Sequence, residues 1–437
     1  MFSYYLQLGA AKLRHNPALT MLMVLTLAAG IAASVSTLTI LHLMSNNPIP
    51  HKSARLIAPT IDVARLENYK PGDKPDVQLS YKDTVNLLAD KYGLRRAAVF
   101  GVAGAMEATR ADLPASTAIG LAVSDDYFKM FEVPFLYGGS WSAQDAAQGK
   151  NVMILSRRQS EKMFGNANPV GKQLRFHEHD FQIVGVRDTW QTMPRYTHLI
   201  NSNGGVFSGE DDLYIPFATT VRLQISSSGS TWCTQGHNPG YQGKLDSECT
   251  WIQFWYELQN ASERPALQQH LQAYVAEQKK LGRIQRPNAV KTYDVMEWLD
   301  LLEVVESDTR LAVWLAFGFL GLCLINTIGL LLAKFSVRAA EVGVRRALGA
   351  SRMEIFKQFL AETMVIGLAG GVLGLPLSLL GIRLLASNSI GVASLPPIDW
   401  FTLGATFLIA LAASMLAGLL PTWRACQVTP ALQLKSQ

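Results

Sequence analysis

Charge-free apolar runs punctuate an otherwise mixed sequence. Four stretches, 18–41, 311–333, 363–382 and 401–420, contain no Asp, Glu, Lys or Arg. Each reaches or exceeds the roughly 20 residues that a helix needs to cross about 30 Å of hydrocarbon. Buried core helices seldom run that far without a charge, so the pattern predicts four transmembrane helices. Between the first and second run the periodicity changes. "SYKDTVNLLADKYG" reads as a helix with Ser80 as its cap, "TWIQFWYELQ" as a strand dense in aromatics, and "SERPALQQHLQAYVAEQKKLG" as an amphipathic helix with Pro265 in its first turn. "KQLRF" and "FQIVGV" read as strands flanking a hairpin tip, "HEHD". The predicted fold class is an α-helical membrane protein with four transmembrane helices and a large α/β extracytoplasmic domain between helices 1 and 2. Strand and helix runs at both ends of that segment predict one subdomain built from both ends and a second inserted in it.

Composition strengthens the membrane reading. Of 437 residues 49% are hydrophobic and only 17% charged, too apolar for a soluble chain of two or three domains. Charge then orients the helices. Lys12 and Arg14 precede the first run, Lys334, Arg338, Arg345, Arg346, Arg352 and Lys357 fill the link between the second and third, and Arg424 and Lys435 follow the fourth. The link at 386–399 has no Lys or Arg. Short loops rich in these cations stay in the cytoplasm, so both termini are expected there. The net charge of +5 is accounted for by this topology and calls for no nucleic-acid partner. The first run has the basic flank of a signal peptide, but it is too long and lacks a clean small-x-small site after it, so it reads as an uncleaved anchor.

The expected organisation is a cytoplasmic amphipathic segment at 1–17, helix 1 at 18–44, a periplasmic domain at 45–308 with a specific insertion at about 188–250, helix 2 at 309–333, a cytoplasmic helix and turn at 334–359, helix 3 at 360–385, a short periplasmic loop at 386–399, helix 4 at 400–420 and a cytoplasmic end at 421–437. Cys233 and Cys249 both fall in the outer segment, in a Gly-rich polar loop that suits a disulfide.

The link "VRRALGASRMEIFKQFL", 344–360, is more than a cationic loop. Good helix formers lead to Gly349 at the position of a C-terminal cap, and Ser351 with Glu354 fits the capping box S-x-x-E ahead of the apolar Ile355, Phe356 and Phe359. A short helix, a tight corner and a restart into helix 3 follow. Such a preformed helix at the cytoplasmic face suits the docking of another protein. In helix 3, Gly367, Gly370, Gly371 and Gly374 form two overlapping G-x-x-x-G pairs that favour close helix approach, in the same chain or with a second copy. Asn326 and Glu362 are the polar exceptions in the membrane runs, and Glu362 lies at a level where it would meet Arg14.

"RAAEVGVRRALGASRMEIFKQFLAETMVIGLAGGVLG" resembles the signature of the FtsX/MacB-type permeases of ABC transporters. A second block, 125–186, is similar to the MacB-type periplasmic core domain in its Tyr-Phe, its "FGNANPVGK" and its closing "VGV", and "PTWRACQVTPALQLK" extends the likeness to the C terminus. The stretch at about 188–250 matches nothing in that pattern and is where specificity for cargo or partner is expected. The resemblance implies that the 334–359 link is a coupling helix seated in a cytoplasmic ABC ATPase, with Glu341, Val342, Arg345, Arg346, Leu348 and Gly349 as coupling residues. It implies a dimer with a second permease copy or paralogue in the bacterial inner membrane, in contact with lipid, and use of a periplasmic adaptor and outer-membrane duct in double-membrane bacteria. The implied activity is MacB-like mechanotransmission driving export of a peptide, antibiotic or lipid-linked cargo. The alternative is an FtsX-like regulator that activates a cell-wall hydrolase without transport.

Enzymatic chemistry in the chain itself is not expected. "GNANPVGKQ", from Gly165, is the nearest approach to a phosphate loop, but it has five residues between its glycines, a proline inside, and Gln173 where Ser or Thr would hold magnesium. ATP and Mg therefore belong to the partner ATPase, with no cofactor in this chain. His177, Glu178, His179 and Asp180 lack converging ligands and give no metal site.

Overall fold

The structure, a computed structural model, describes residues 16–426 apart from 68, 73, 75, 108–113, 191, 201–205, 207–209, 235, 306 and 389–399. Two compact units emerge, an α/β unit of residues 46–304 and a helical unit formed by the chain on either side of it. The helical unit opens with α1 (Pro17–Met44). The α/β unit follows as β1 (Leu56–Ile61), β2 (Leu79–Ser80), α2 (Tyr81–Ala89), β3 (Arg95–Glu107), β4 (Ser116–Val123), α3 (Tyr127–Met130), β5 (Phe135–Gly138), α4 (Ala143–Ala147), β6 (Val152–Ser156), α5 (Arg157–Phe164), β7 (Gln173–Phe176), β8 (His179–Arg187), β9 (Leu213–Pro216), α6 (Phe217–Arg222), α7 (Gly240–Leu245), β10 (Thr250–Glu257), α8 (Arg264–Lys280), β11 (Val290–Asp294) and α9 (Val295–Leu301). The helical unit resumes with α10 (Ser307–Val337), α11 (Ala339–Ala347), α12 (Arg352–Asn388) and α13 (Trp400–Cys426).

One eleven-stranded sheet organises the α/β unit in the order β11-β1-β10-β3-β4-β9-β6-β8-β5, with β2 on β10 and β7 on β3 and β8. The aromatic run expected to be a strand is β10, all eight of whose residues are buried. Its alternation divides the core: Ile252, Phe254 and Tyr256 enter one apolar cluster with α2 and α8, while Trp255 enters a second with α3 and α9. The two expected subdomains thus share a single sheet. The segment at about 188–250 is woven into it, because β9 lies between β4, which it pairs in parallel, and β6. The disulfide Cys233–Cys249 is present and ties the loop before β10 to that strand. Lys244 adds to this staple by stacking over Trp251 and donating to Ser227 and Thr231.

The "HEHD" tip is a two-residue turn in which His177 and Glu178 both take positive φ, the geometry of a tight hairpin between β7 and β8. The imidazole of His177 lies over β3, its Nε2 2.9 Å from the carbonyl oxygen of Ala103. It is occupied by backbone.

In the helical unit α1, α10, α12 and α13 are all long and apolar enough to cross a membrane. Side-chain size decides how they pack. A Cβ on Gly367 would stand 2.0 Å from the Cβ of Ser414, and one on Gly371 2.7 Å from that of Ala410, so this face of α12 lies on α13. Gly370 and Gly374 look the other way, with a built Cβ 3.1 Å from Leu27 and 3.2 Å from Ile31 of α1. The glycines thus serve two different neighbours within this chain. Short hydroxyl side chains complete the seams: Ser36 of α1 donates to the carbonyl of Ser378 at 3.0 Å, and Ser34 to that of Ala316 at 3.2 Å. Asn326 takes no part in this packing. It is exposed on the outer side of α10 and has no side-chain hydrogen bond to the described residues.

Candidate functional site

The link between α10 and α12 follows the local signals of its sequence. Helix α10 ends at Val337, Arg338 stands at the N-cap position of the short α11 without a side-chain capping bond, and the chain turns at Gly349, whose φ of +100° suits glycine. The capping box closes the corner: the Glu354 N–H donates to Ser351 Oγ at 3.2 Å, and the Ser351 N–H to Glu354 Oε2 at 3.4 Å. The corner is therefore specified by residues within six positions of each other.

One face of α11 is built into the bundle. Val342, 4% exposed, packs in one apolar cluster with Phe335, Ile355 and Phe359. Val342, expected among the coupling residues, thus spends its side chain on holding α11 against the bundle. Arg345 donates to Glu341 at 2.6 Å and to Gln358 at 3.0 Å, so it too ties α11 to α12. The opposite face is left open. Val344 and Leu348 lie one turn apart there, Met353 follows beyond the corner, and Leu348 is 83% exposed. Arg346 and the exposed Arg352 and Lys357 complete a cationic surround. Of the residues singled out from sequence, Leu348 belongs to this surface and Gly349 shapes the corner beneath it. Val344 and Met353 were missed, although the i, i+4 spacing of Val344 and Leu348 carried the signal.

Behind this surface lies a buried ion cluster. Glu362 of α12 is ion-paired with Lys334 of α10 at 2.7 Å and accepts hydrogen bonds from Arg338 at 3.0 and 3.1 Å, and the side chains of Glu362 and Lys334 are each only 1% exposed. Arg14, the partner expected for Glu362, lies outside the described residues. Two cations thus converge on one carboxylate, a set that spans the junction of α10, α11 and α12. Removing the acid would leave both cations buried, a loss on the order of 3–5 kcal/mol for a broken buried pair.

The α/β unit holds a different kind of polar group. His198 is fully buried, and burial, reinforced by the Arg195 guanidinium, outweighs the Asp211 carboxylate and pushes its imidazole down to about 4. Neutral His198 is the form the fold accepts, whereas the unfolded chain binds a proton near the ordinary value of about 6.5. Its contribution is complete above about pH 6.5 and is lost as pH falls through about 4, a loss of roughly 3 kcal/mol. The indole N–H of Trp255 donates to Thr197, next to His198, at 3.1 Å. Tryptophan emission during an acid titration is expected to report the loosening, and a His198→Asn variant to lack that acid-linked part.

Comparison with known proteins places these features in context. A family model described as a MacB-like periplasmic core domain matches residues 20–274, and one described as an FtsX-like permease C-terminal matches 313–430. The chain is 22% identical to the macrolide export ATP-binding/permease protein MacB of Bdellovibrio bacteriovorus over 62% of its own length and 37% of the relative's. It is 26% identical to the pyoverdine export ATP-binding/permease protein PvdT of Pseudomonas entomophila, over 70% and 41%. It is 21% identical to the uncharacterized ABC transporter permease YknZ of Bacillus subtilis, over 70% and 67%. The chain thus spans about two fifths of the length of the MacB and PvdT relatives. The crystallised periplasmic region of MacB from Actinobacillus actinomycetemcomitans aligns with 59% of this chain and 96% of that one, at 15% identity and a TM-score of 0.36.

Proposed function

From the premise that this chain belongs to the family of permeases with a MacB-like periplasmic core domain and an FtsX-like C-terminal region, we propose that it is the membrane component of an ABC export system. An ABC ATPase on a separate polypeptide docks on α11, burying Val344, Leu348 and Met353 while the surrounding cations meet acidic groups. The observation that carries this reading is that apolar surface, left open on a helix held to the bundle by Val342 and Arg345. Exposed apolar residues rimmed by charge mark a protein interface rather than a solvated turn.

The mechanical part follows from connectivity. Helix α1 runs into the α/β unit at residue 46, and α10 begins shortly after that unit ends at 304. Displacement of α11 by a closing pair of ATPase subunits, each bound to one permease of a dimer, is delivered to the α/β unit through α1 and α10. That unit faces the periplasm and drives out a peptide, antibiotic or lipid-linked cargo, handing it to an adaptor and duct where the cell has two membranes. Both termini lie in the cytoplasm, as the distribution of Lys and Arg supports. Relatives named for macrolide and pyoverdine export support export as the direction. The α/β unit transmits motion without binding nucleotide, and the ATP and magnesium sit in the partner.

Hydrogen exchange on the complex in native-lipid nanodiscs tests this. Addition of ATP is expected to change amide protection within residues 46–304. ATP hydrolysis that leaves this region's exchange unaltered would remove the mechanical reading.

A further inference from the structure

We infer that the cluster of Lys334, Arg338 and Glu362 is the joint through which α11 drives α12, with Arg338 as its working contact; this rests on the docking role proposed for α11. Helices α10 and α12 pack mainly on α1 and α13 rather than on each other. At the end nearest α11 they meet through Phe335 and Phe359, whose ring centroids are 4.3 Å apart, and through the ion cluster. An apolar contact of that kind lets helices slide. Oriented charge-assisted bonds resist sliding, because a guanidinium held on a carboxylate fixes direction as well as distance.

The stoichiometry separates the roles of the two cations. Glu362 needs one positive charge for neutrality, and Lys334, the more deeply buried at 1% side-chain exposure, supplies it from the body of α10. Arg338 adds no neutrality. It stands between the last residue of α10 and the first of α11, and reaches 24 positions along the chain to α12. Loss of Lys334 would leave a neutral Arg338–Glu362 pair with the guanidinium joint intact, whereas loss of Arg338 would leave a neutral Lys334–Glu362 pair and remove the oriented link between the start of α11 and Glu362, leaving α11 on α12 through Val342, Arg345 and the corner alone. Neither change strands Glu362 without a cation, so both variants keep a balanced bundle. Arg338 is a positioning residue that acts through Glu362 of α12.

The test compares wild type, Arg338→Gln and Lys334→Met, each purified as full-length chain in complex with its ATPase in native-lipid nanodiscs. Retained ATPase and ATP-dependent hydrogen exchange in 353–370 and 46–304 are read for each. Expected for Arg338→Gln is wild-type retention of the ATPase with loss of the ATP-dependent exchange response in both regions; Lys334→Met is expected to keep both. A response in Arg338→Gln equal to wild type overturns the inference. So does loss of the response in Lys334→Met, which would assign the cluster to folding. Should Arg338→Gln not accumulate, Arg338→Lys decides, since it keeps the charge without the planar fork. A reduced response with full ATPase retention is expected there, and a wild-type response overturns the inference. Failure of wild type itself to retain an ATPase would instead count against the docking role of α11, which keeps the two claims distinguishable.

Discussion

Replacing Leu348 with aspartate is expected to weaken binding of the partner ATPase by about a hundredfold or more without disturbing the fold. The side chain is 83% exposed beside the glycine corner, so the isolated chain loses little when it changes. In the docked state its burial contributes about 1.5–3 kcal/mol, and an aspartate forced into the same apolar contact adds a desolvation cost of similar size. Together these exceed the roughly 2.7 kcal/mol that separates affinities a hundredfold apart. Titration of purified ATPase against the detergent-solubilised chain measures the effect. Val342→Asp, only six positions earlier but 4% exposed, should instead lower the melting temperature by burying a charge in the bundle. Equal binding by Leu348→Asp and wild type would show that this surface is not where the ATPase sits.

Gly367→Leu is expected to prevent accumulation of folded protein. Even the first carbon of a side chain there would stand 2.0 Å from Ser414 Cβ, and Gly418 on the facing helix is just as tightly opposed by Thr363. Relief requires α12 and α13 to separate, which breaks the seam along its length; overpacking of a closed interface typically costs about 1–3 kcal/mol, and more where backbone must move. Gly318→Leu makes the comparison sharp. Among the described residues no atom outside its own stretch of helix lies within 4 Å of a Cβ built at Gly318 in α10, so this substitution should leave expression and elution volume unchanged. Size-exclusion profiles of fluorescently tagged variants distinguish the two, and similar profiles would mean that the α12–α13 seam does not hold the bundle.

What could be read from the sequence alone was set by how local each determinant is. The corner at Gly349 was legible because its cap, Ser351 with Glu354, acts across three residues. The disulfide was legible because the outer segment holds only Cys233 and Cys249. The glycines of α12 announced close packing but not their neighbours, since which helix each pair faces is set only once the bundle is assembled: Gly367 meets α13 whereas Gly370, three positions on, meets α1. For the same reason the neighbouring Val342 and Val344 looked alike, and only the position of Phe335 and Phe359 assigns one to the core and the other to the open surface. Glu362 was recognised as exceptional, yet its partners lie 24 and 28 positions away across helix boundaries. The placement of β9 between β4 and β6 is likewise a long-range pairing that no local pattern in 188–250 announces.

The most direct test of the export-permease account is to purify the tagged full-length chain from its own membranes in mild detergent and identify its companions by mass spectrometry, alongside Leu348→Asp. An ABC ATPase in near-stoichiometric amount with wild type, and strongly depleted with the variant, is the predicted result. A folded wild-type chain that carries no ATPase in any mild detergent would contradict the account, and would leave the cations around α11 with no role beyond orienting the helices in the membrane.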